Sequence, residues 1–344
     1  MGFRLTDQIP FFAERIRKLE NLDRVERFFE NDETVAAADF REHVVPRIIR
    51  IRRANDNLKV RIDLPEFQGG FDAVPSRRHA NVDECEHVRV AFLADARRGP
   101  FDDFTAAAGL LTRLPVGAGA VEPGAVAAAG WAFPLVGAGI GAVCALVFFV
   151  AGAAGLADAP AAVLALAAGI LLTGALHEDG LADTADGFGG GVGREAKLAI
   201  MRDSRHGTYG IVALGLSLGL RAAALATVGG PIAAGLALIA AHAASRGALP
   251  AFMRLMTPAR ADGLGSTAGR PGWLVALLAP VFGIGIALAM LGPRHGAVAL
   301  VAAGIAVAFA ARLAQRQIGG YTGDVLGSFQ QIGEIVMLLA AAAQ

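Results

Sequence analysis

The sequence predicts an all-α fold: a polytopic integral membrane bundle of about seven transmembrane helices behind a polar N-terminal extension. Hydrophobic residues make up 54% of the chain and the mean hydropathy is +0.50, above the usual value for a water-soluble globular protein. Charge is unevenly spread. Residues 1–100 hold 36 Asp, Glu, Lys and Arg, 18 of each sign, and the other 244 residues hold 26. In the second part, seven apolar stretches approach the roughly 20 residues needed to cross a hydrocarbon layer of about 30 Å at about 1.5 Å per residue. The division is therefore 1–100, a polar extension of unknown role, and 101–344, a membrane-embedded domain.

Within the extension, Phe12, Ile16, Leu19, Leu22, Val25 and Phe28 are spaced by three and four, which predicts an amphipathic helix over Phe11–Phe29. Val44–Val60 is basic without a clean period, and Phe67–Pro100, rich in Gly, Pro, Asp and Arg, reads as loop. Three readings of this arm stay open: an accessory or partly disordered segment, a membrane-surface helix, or a start codon assigned too early. Met1–Pro10 lacks the apolar core of a signal peptide. Cys85 and Cys144 lie in unlike surroundings, so no disulfide framework is expected. The net charge is zero, which gives no global field to attract nucleic acid.

From Phe101, FDDFTAAAGLLTRLPV is apolar, ended by Pro115 and too short to span; it reads as a helix at the membrane interface. The spans are expected near 127–153, 159–176, 209–229, 231–252, 273–292, 296–312 and 329–343. Gly137, Gly139 and Gly141 are read as close helix contacts, since no strand precedes them to make a nucleotide loop. Threading the spans alternately puts loops 177–208, 253–272 and 313–328 on one side. Arg194, Lys197, Arg202, Arg205, Arg254, Arg260, Arg270 and Arg316 then share that side, with Arg294 almost alone on the other. By the positive-inside rule the first side is cytoplasmic, the arm starts inside and the C-terminus lies outside.

The run 177–187 follows the second span and holds four carboxylates, Glu178, Asp179, Asp183 and Asp186, in nine residues. A carboxylate costs roughly 2.5 kcal/mol or more at the bilayer centre, so this cluster leaves the lipid or binds a cation. On a helix, Asp179, Asp183 and Asp186 share one face. Mg²⁺ or Mn²⁺ suits carboxylate oxygens and substrate phosphates. Glu178 points about a quarter-turn away. The glycines 187, 189, 190, 191 and 193 permit close backbone approach to a ligand. The alternative is a solvated acidic loop that caps the next helix.

Arg202, Arg205 and His206, at i, i+3 and i+4, present one cationic face if helical, suited to phosphate. Together the acidic and basic clusters point to metal-assisted phosphoryl or phosphodiester transfer. Arg221 in the third span, His242 and Arg246 in the fourth, and Glu334 in the last are intramembrane ionisable residues, with either a functional or a helix-pairing role. Asp324 is expected to complete a metal site or to pair with Arg316 or Arg246.

The segments GLLTRLPV (109–116), FPLVGAGIG (133–141), LLTGALHEDGLADTADGFGG (171–190), IMRDSRHGTYG (200–210) and GYTGDVLGSFQQIGE (320–334), in this order along 103–344, resemble the cobalamin synthase family, the adenosylcobinamide-GDP ribazoletransferases. The first hundred residues lie outside the resemblance. It implies a transferase domain in the bacterial inner membrane, multi-pass, with its active-site loops cytoplasmic. In the implied Mg²⁺-dependent reaction, a hydroxyl of α-ribazole or its 5′-phosphate attacks the cobinamide-linked phosphate of adenosylcobinamide-GDP. GMP leaves, and adenosylcobalamin or its phosphate forms. Carried onto this sequence, Asp179, Asp183, Asp186 and Asp324 are the metal ligands. Arg202, Arg205 and Arg246 bind phosphate. His206 joins the three aspartates of 179–186 as catalytic, with His177 and Glu178 as other candidate bases. The resemblance also allows association with other enzymes of cobalamin assembly, and leaves the oligomeric state open.

The residues also bear on two rival classes. CDP-alcohol phosphatidyltransferases also use an Asp-Gly-led acidic motif, but it continues with Ala-Arg, whereas Leu181-Ala182-Asp183 here places Asp where Arg is expected. A transporter would account for Gly-rich spans with buried charges, but no internal repeat supports it.

Overall fold

A computed structural model describes residues 49–54, 57–62, 99–116, 124–203, 205–260 and 263–343. The amphipathic helix expected over Phe11–Phe29 lies outside these residues, as do most of Phe67–Pro100 and Cys85. Contacts divide the chain into Met1–Arg97 and Arg98–Gln344.

In the first unit, β1 (Ile49–Ala54) and β2 (Asn57–Ile62) form an antiparallel hairpin with Ile49 opposite Ile62 and Ile51 opposite Val60. The hairpin falls largely within Val44–Val60, read in the sequence as basic without a clean period. Its sequence instead alternates apolar and basic residues, Ile-Arg-Ile-Arg and Leu-Lys-Val-Arg-Ile, which is the period of a strand.

The second unit is entirely helical among its described residues. Helix α1 (Pro100–Leu111) opens with proline at its first position, and the Gly99 N–H donates to Asp102 Oδ2 at 2.8 Å. It buries Ala107, Ala108 and Leu111 and leaves Phe101 and Phe104 exposed. The short α2 (Ala125–Ala129) and a 3₁₀ turn, Gly130–Ala132, lead into α3 (Phe133–Ala153). Then follow α4 (Asp158–Thr173), α5 (Leu176–Gly190), α6 (Arg194–Ile200), α7 (Thr208–Thr227) and α8 (Pro231–Leu255). The chain ends with α9 (Leu264–Thr267), α10 (Trp273–Leu291), α11 (Pro293–Ile318) and α12 (Gly323–Ala342).

Six of these segments are long and apolar enough to cross a membrane: 125–153, α7, α8, α10, α11 and α12. A seventh crossing exists if α4 and α5 count as one span, but they meet at 91°. The span expected over 159–176 is helical as α4 to Thr173 and stops at its end where Gly174 (φ 66°) and Ala175 (φ 59°) take left-handed conformations in succession. Ala175 is the one non-glycine residue with positive φ among those described, at a cost of about 1–2 kcal/mol. The side chain of Arg113 lies over this break, and its N–H donates to Leu172 O at 2.7 Å. With four carboxylates in fifteen residues, α5 is not itself a spanning segment.

Two-thirds of the apolar window in α8 and in α12 is buried within the bundle, against about a fifth in α10 and α11, so α8 and α12 form its centre. Exposed Leu277, Val281, Val301, Ile305 and Phe309 face outward, as expected of lipid-facing helices. A β-carbon on Gly137 would lie 2.3 Å from His242 O, and one on Gly141 2.7 Å from Ile239 Cα. These two glycines make the α3–α8 contact. Gly139, expected to join them, is exposed with nothing within 4 Å of its would-be β-carbon, because two residues along a helix turn the side chain to the opposite face.

The alternate threading of the spans agrees with the contacts. Arg194 Nε donates to Ile318 O at 2.8 Å and Arg260 Nη2 lies 3.4 Å from Asp324, so the three loops assigned to one side meet there. At the opposite end, Gly152 of α3 adjoins Pro231 of α8.

Candidate active site

The acidic run is helical, as its spacing predicts, and α5 is held between α7 and α12. Gly180 makes the second contact possible, since a β-carbon there would sit 2.7 Å from Asp324 O. The exposed Asp179 and half-buried Asp183 point away from the bundle, and exposed His206 reaches them from the loop before α7. Ligand atoms of Asp179, Asp183 and His206 all lie within 4.8 Å of one another. Burial, then the neighbouring charges of Asp179 and Asp324, push the Asp183 carboxyl up to about 7. A group so placed gains from a nearby cation.

Asp186 is placed differently from its sequence neighbours. It is buried, and its oxygens accept from Gly207 N at 2.6 Å and Gly210 N at 2.8 Å. It thereby caps α7 from a separate helix and fixes the residue after His206. This occupies the carboxylate expected to be a metal ligand, because α7 begins against the C-terminal half of α5. Asp186→Ala is expected to lower stability by about 2–3 kcal/mol, through two stranded N–H groups. Thermal unfolding in detergent measures that, and a variant as stable as the parent would contradict the cap.

The cationic face expected from Arg202, Arg205 and His206 does not form. Helix α6 ends at Ile200, and the Asp203 carboxylate accepts from the Arg205 backbone N–H, turning the chain out of the helix. Arg205 pairs with Asp203 at 2.6 Å, a bond that holds the Asp203 carboxyl down at about 2. Arg202 is exposed in the same turn. Three glycines of the run serve packing, since β-carbons on Gly187, Gly189 and Gly191 would meet Met201 Cγ at 2.4 Å, the Tyr209 ring at 2.6 Å and Lys197 Cγ at 2.7 Å, while Gly190 makes an ordinary contact and Gly193 has open space beside it.

Arg246 lies away from this face, inside the bundle and 2% exposed. Its Nη1 is 2.8 Å from His242 Nδ1 and 3.6 Å from Glu334 Oε2. Arg221 bonds Glu334 at 2.9 Å and Glu178 at 3.2 Å. Glu178, one residue before Asp179, is thus turned inward to an arginine and to Gln331. Gln330 bridges Ser245 and Glu334, and Ser217 donates to Gln331. The intramembrane charges flagged in the sequence pair with one another, the second of the two roles they allowed. His177 is buried, with Nδ1 unpartnered.

Asp324 joins the acidic face at the start of α12. Its partners are Thr322 Oγ1 at 3.1 Å and Arg260 at 3.4 Å, in place of the expected Arg316 or Arg246. In the sequence Arg260 stands out only as one of the arginines that orient the chain across the membrane. No spacing signal links 260 to 324, because their meeting is made by a loop contact.

Residues 103–342 match the sequence model of a family described as cobalamin-5-phosphate synthase. An adenosylcobinamide-GDP ribazoletransferase of Bradyrhizobium diazoefficiens is 52% identical over 247 residues, 72% of this chain and 95% of that protein. One from Mesorhizobium japonicum is 48% identical over 241 residues, covering 70% and 93%, and one from Azorhizobium caulinodans 47% over 247 residues, covering 69% and 94%. No solved structure matches the chain.

Proposed function

This chain belongs to the cobalamin-5-phosphate synthase family, and we infer from that membership that it is an adenosylcobinamide-GDP ribazoletransferase, a multi-pass membrane enzyme. The observation that carries the reading is the 52% identity to a ribazoletransferase across 95% of that protein's length. The substrates are adenosylcobinamide-GDP and α-ribazole or its 5′-phosphate. An α-ribazole hydroxyl oxygen bonds to the phosphorus that carries cobinamide. The bond from that phosphorus to the bridging diphosphate oxygen breaks, GMP leaves with the electron pair, and adenosylcobalamin or its 5′-phosphate forms.

The residues at the face of α5 fit this chemistry. Asp179 and Asp183 would hold Mg²⁺, or Mn²⁺ as a substitute, since two carboxylates with open positions suit a hard cation that also binds phosphate. The ion, when bound, supplies charge neutralisation for the diphosphate and for the departing GMP. His206 converges on the same point and offers an imidazole to take the hydroxyl proton. Asp186 positions His206 through Gly207 N, and Asp324 adds a further carboxylate beside the pair. Placement in the inner membrane, with this face cytoplasmic, is supported by the arginines gathered at this end of the bundle.

The deciding measurement is GMP release from adenosylcobinamide-GDP by purified membranes, with and without α-ribazole and with and without Mg²⁺. Release that needs both, with a cobalamin product and persisting in detergent, is the expected result. No release from folded, inserted protein would overturn the assignment. Persistence in detergent also separates transfer from transport, which requires a sealed membrane.

A further inference from the structure

We propose that Arg260 is a phosphate-binding residue at the acidic face, gripping the diphosphate of the substrate beside the Asp179 and Asp183 carboxylates. The inference rests on the transferase reading and adds a residue to it.

The backbone around Arg260 is built into a fixed frame. Pro258 and Tyr321 form a parallel bridge. Ala259 N donates to Tyr321 O at 2.7 Å, and Tyr321 N donates to Thr257 O at 3.0 Å. Gly320 is packed so tightly on this strand pair that a β-carbon would sit 2.1 Å from Thr257 O. Arg194, from α6, donates to both Ile318 O and Ala259 O and so ties the two loops to a third element. Ala259 and Tyr321 are both buried.

At the end of this frame the Arg260 guanidinium is under-satisfied. Its Nη2 reaches Asp324 Oδ2 only at 3.4 Å, and its Nη1 is buried with no acceptor. A buried guanidinium nitrogen without an acceptor is costly, and the planar guanidinium can donate two parallel N–H bonds to a pair of phosphate oxygens. Asp324 in turn packs against the helix that carries Asp179 and Asp183, where a β-carbon on Gly180 would sit 2.7 Å from Asp324 O. A diphosphate held at those two carboxylates would have Arg260 beside it, across the Asp324 carboxylate, and the arginine side chain keeps 16% of its surface exposed. Other arginines at this end are differently engaged: Arg205 with Asp203, Arg194 with backbone carbonyls, and Arg270 with Arg254 O. Arg260 combines an open donor with a seat next to the carboxylates.

The alternative is that Arg260 only neutralises Asp324. The two roles separate in equilibrium dialysis of the full chain in nanodiscs against inorganic pyrophosphate plus Mg²⁺, and against adenosylcobinamide-GDP plus Mg²⁺ without α-ribazole. Phosphate binding predicts that Arg260→Gln weakens both ligands at least tenfold. It predicts that Arg260→Lys, which keeps the charge beside Asp324, weakens them by a smaller factor of at least threefold because one ammonium cannot make the bidentate contact. If the glutamine variant does not fold, the lysine variant decides alone. Pyrophosphate affinity within twofold of the parent in Arg260→Lys would overturn the proposal. A parent chain that binds pyrophosphate but not adenosylcobinamide-GDP would overturn the substrate reading, while the pyrophosphate comparison still judges Arg260.

Discussion

Asp183→Asn lowers Mg²⁺-dependent transfer by at least about a hundredfold while the chain remains inserted and folded. Asp183 is half-buried on the outer face of α5, and its carboxyl is already crowded by Asp179 and Asp324. The amide removes one negative charge from a place where three repel, so the fold loses nothing and gains slightly in the absence of metal. The cation loses one of two anionic ligands. A Mg²⁺ titration of GMP release should therefore show the midpoint moving to higher concentration with metal-free thermal stability equal to the parent's or slightly above it. At limiting Mg²⁺ the parent's activity should also fall as pH drops below about 7, where a proton competes with the cation for Asp183, and added Mg²⁺ should move that fall to lower pH. Parent-like activity at low Mg²⁺ in Asp183→Asn would remove the aspartate from the metal site.

Glu334→Ala produces the largest loss of stability, about 3–5 kcal/mol, which for a domain of this size corresponds to roughly 10 °C or more in the unfolding midpoint. Glu334 is fully buried and meets Arg221 at 2.9 Å, His242 at 3.1 Å and Arg246 at 3.6 Å. Its removal leaves two buried arginines facing Glu178 alone, inside a bundle surrounded by lipid. Glu334→Gln retains the shape and one acceptor oxygen, and should lose less. Thermal unfolding of both variants by light scattering or intrinsic fluorescence distinguishes them. A midpoint within about 2 °C of the parent for Glu334→Ala would show that the ion pairs add little to stability. Activity should fall along with stability, because Glu178 belongs to the same network and adjoins Asp179.

The parts of the site that could be read from the sequence are those made by neighbouring residues. Asp179 and Asp183 lie one helical turn apart, and a turn brings their side chains together whatever the rest of the chain does. Asp186 obeys the same periodicity, yet the approach of α7 takes it away from the pair, and no local pattern announces that approach. The arginine face over 202–206 failed for the opposite reason. Its spacing assumed a helix, and the Asp203 carboxylate, bonded to a backbone N–H two residues on, competes with helical hydrogen bonding there. His206, read with those arginines, meets the aspartates through that same loop.

Membrane class, the approximate span positions and the acidic segment at a membrane edge were determined by sequence alone. Hydrocarbon imposes a length and a composition on each helix separately, so these features need no knowledge of its neighbours. The right-angle break before α5, the buried Glu178–Arg221–Glu334 network, the cap formed by Asp186 and the placement of Arg260 against Asp324 were decided only by tertiary structure. Each depends on which residues from distant segments share a low-dielectric interior or a loop junction, and charge balance and hydrogen-bond satisfaction there are properties of the packed bundle rather than of any one segment.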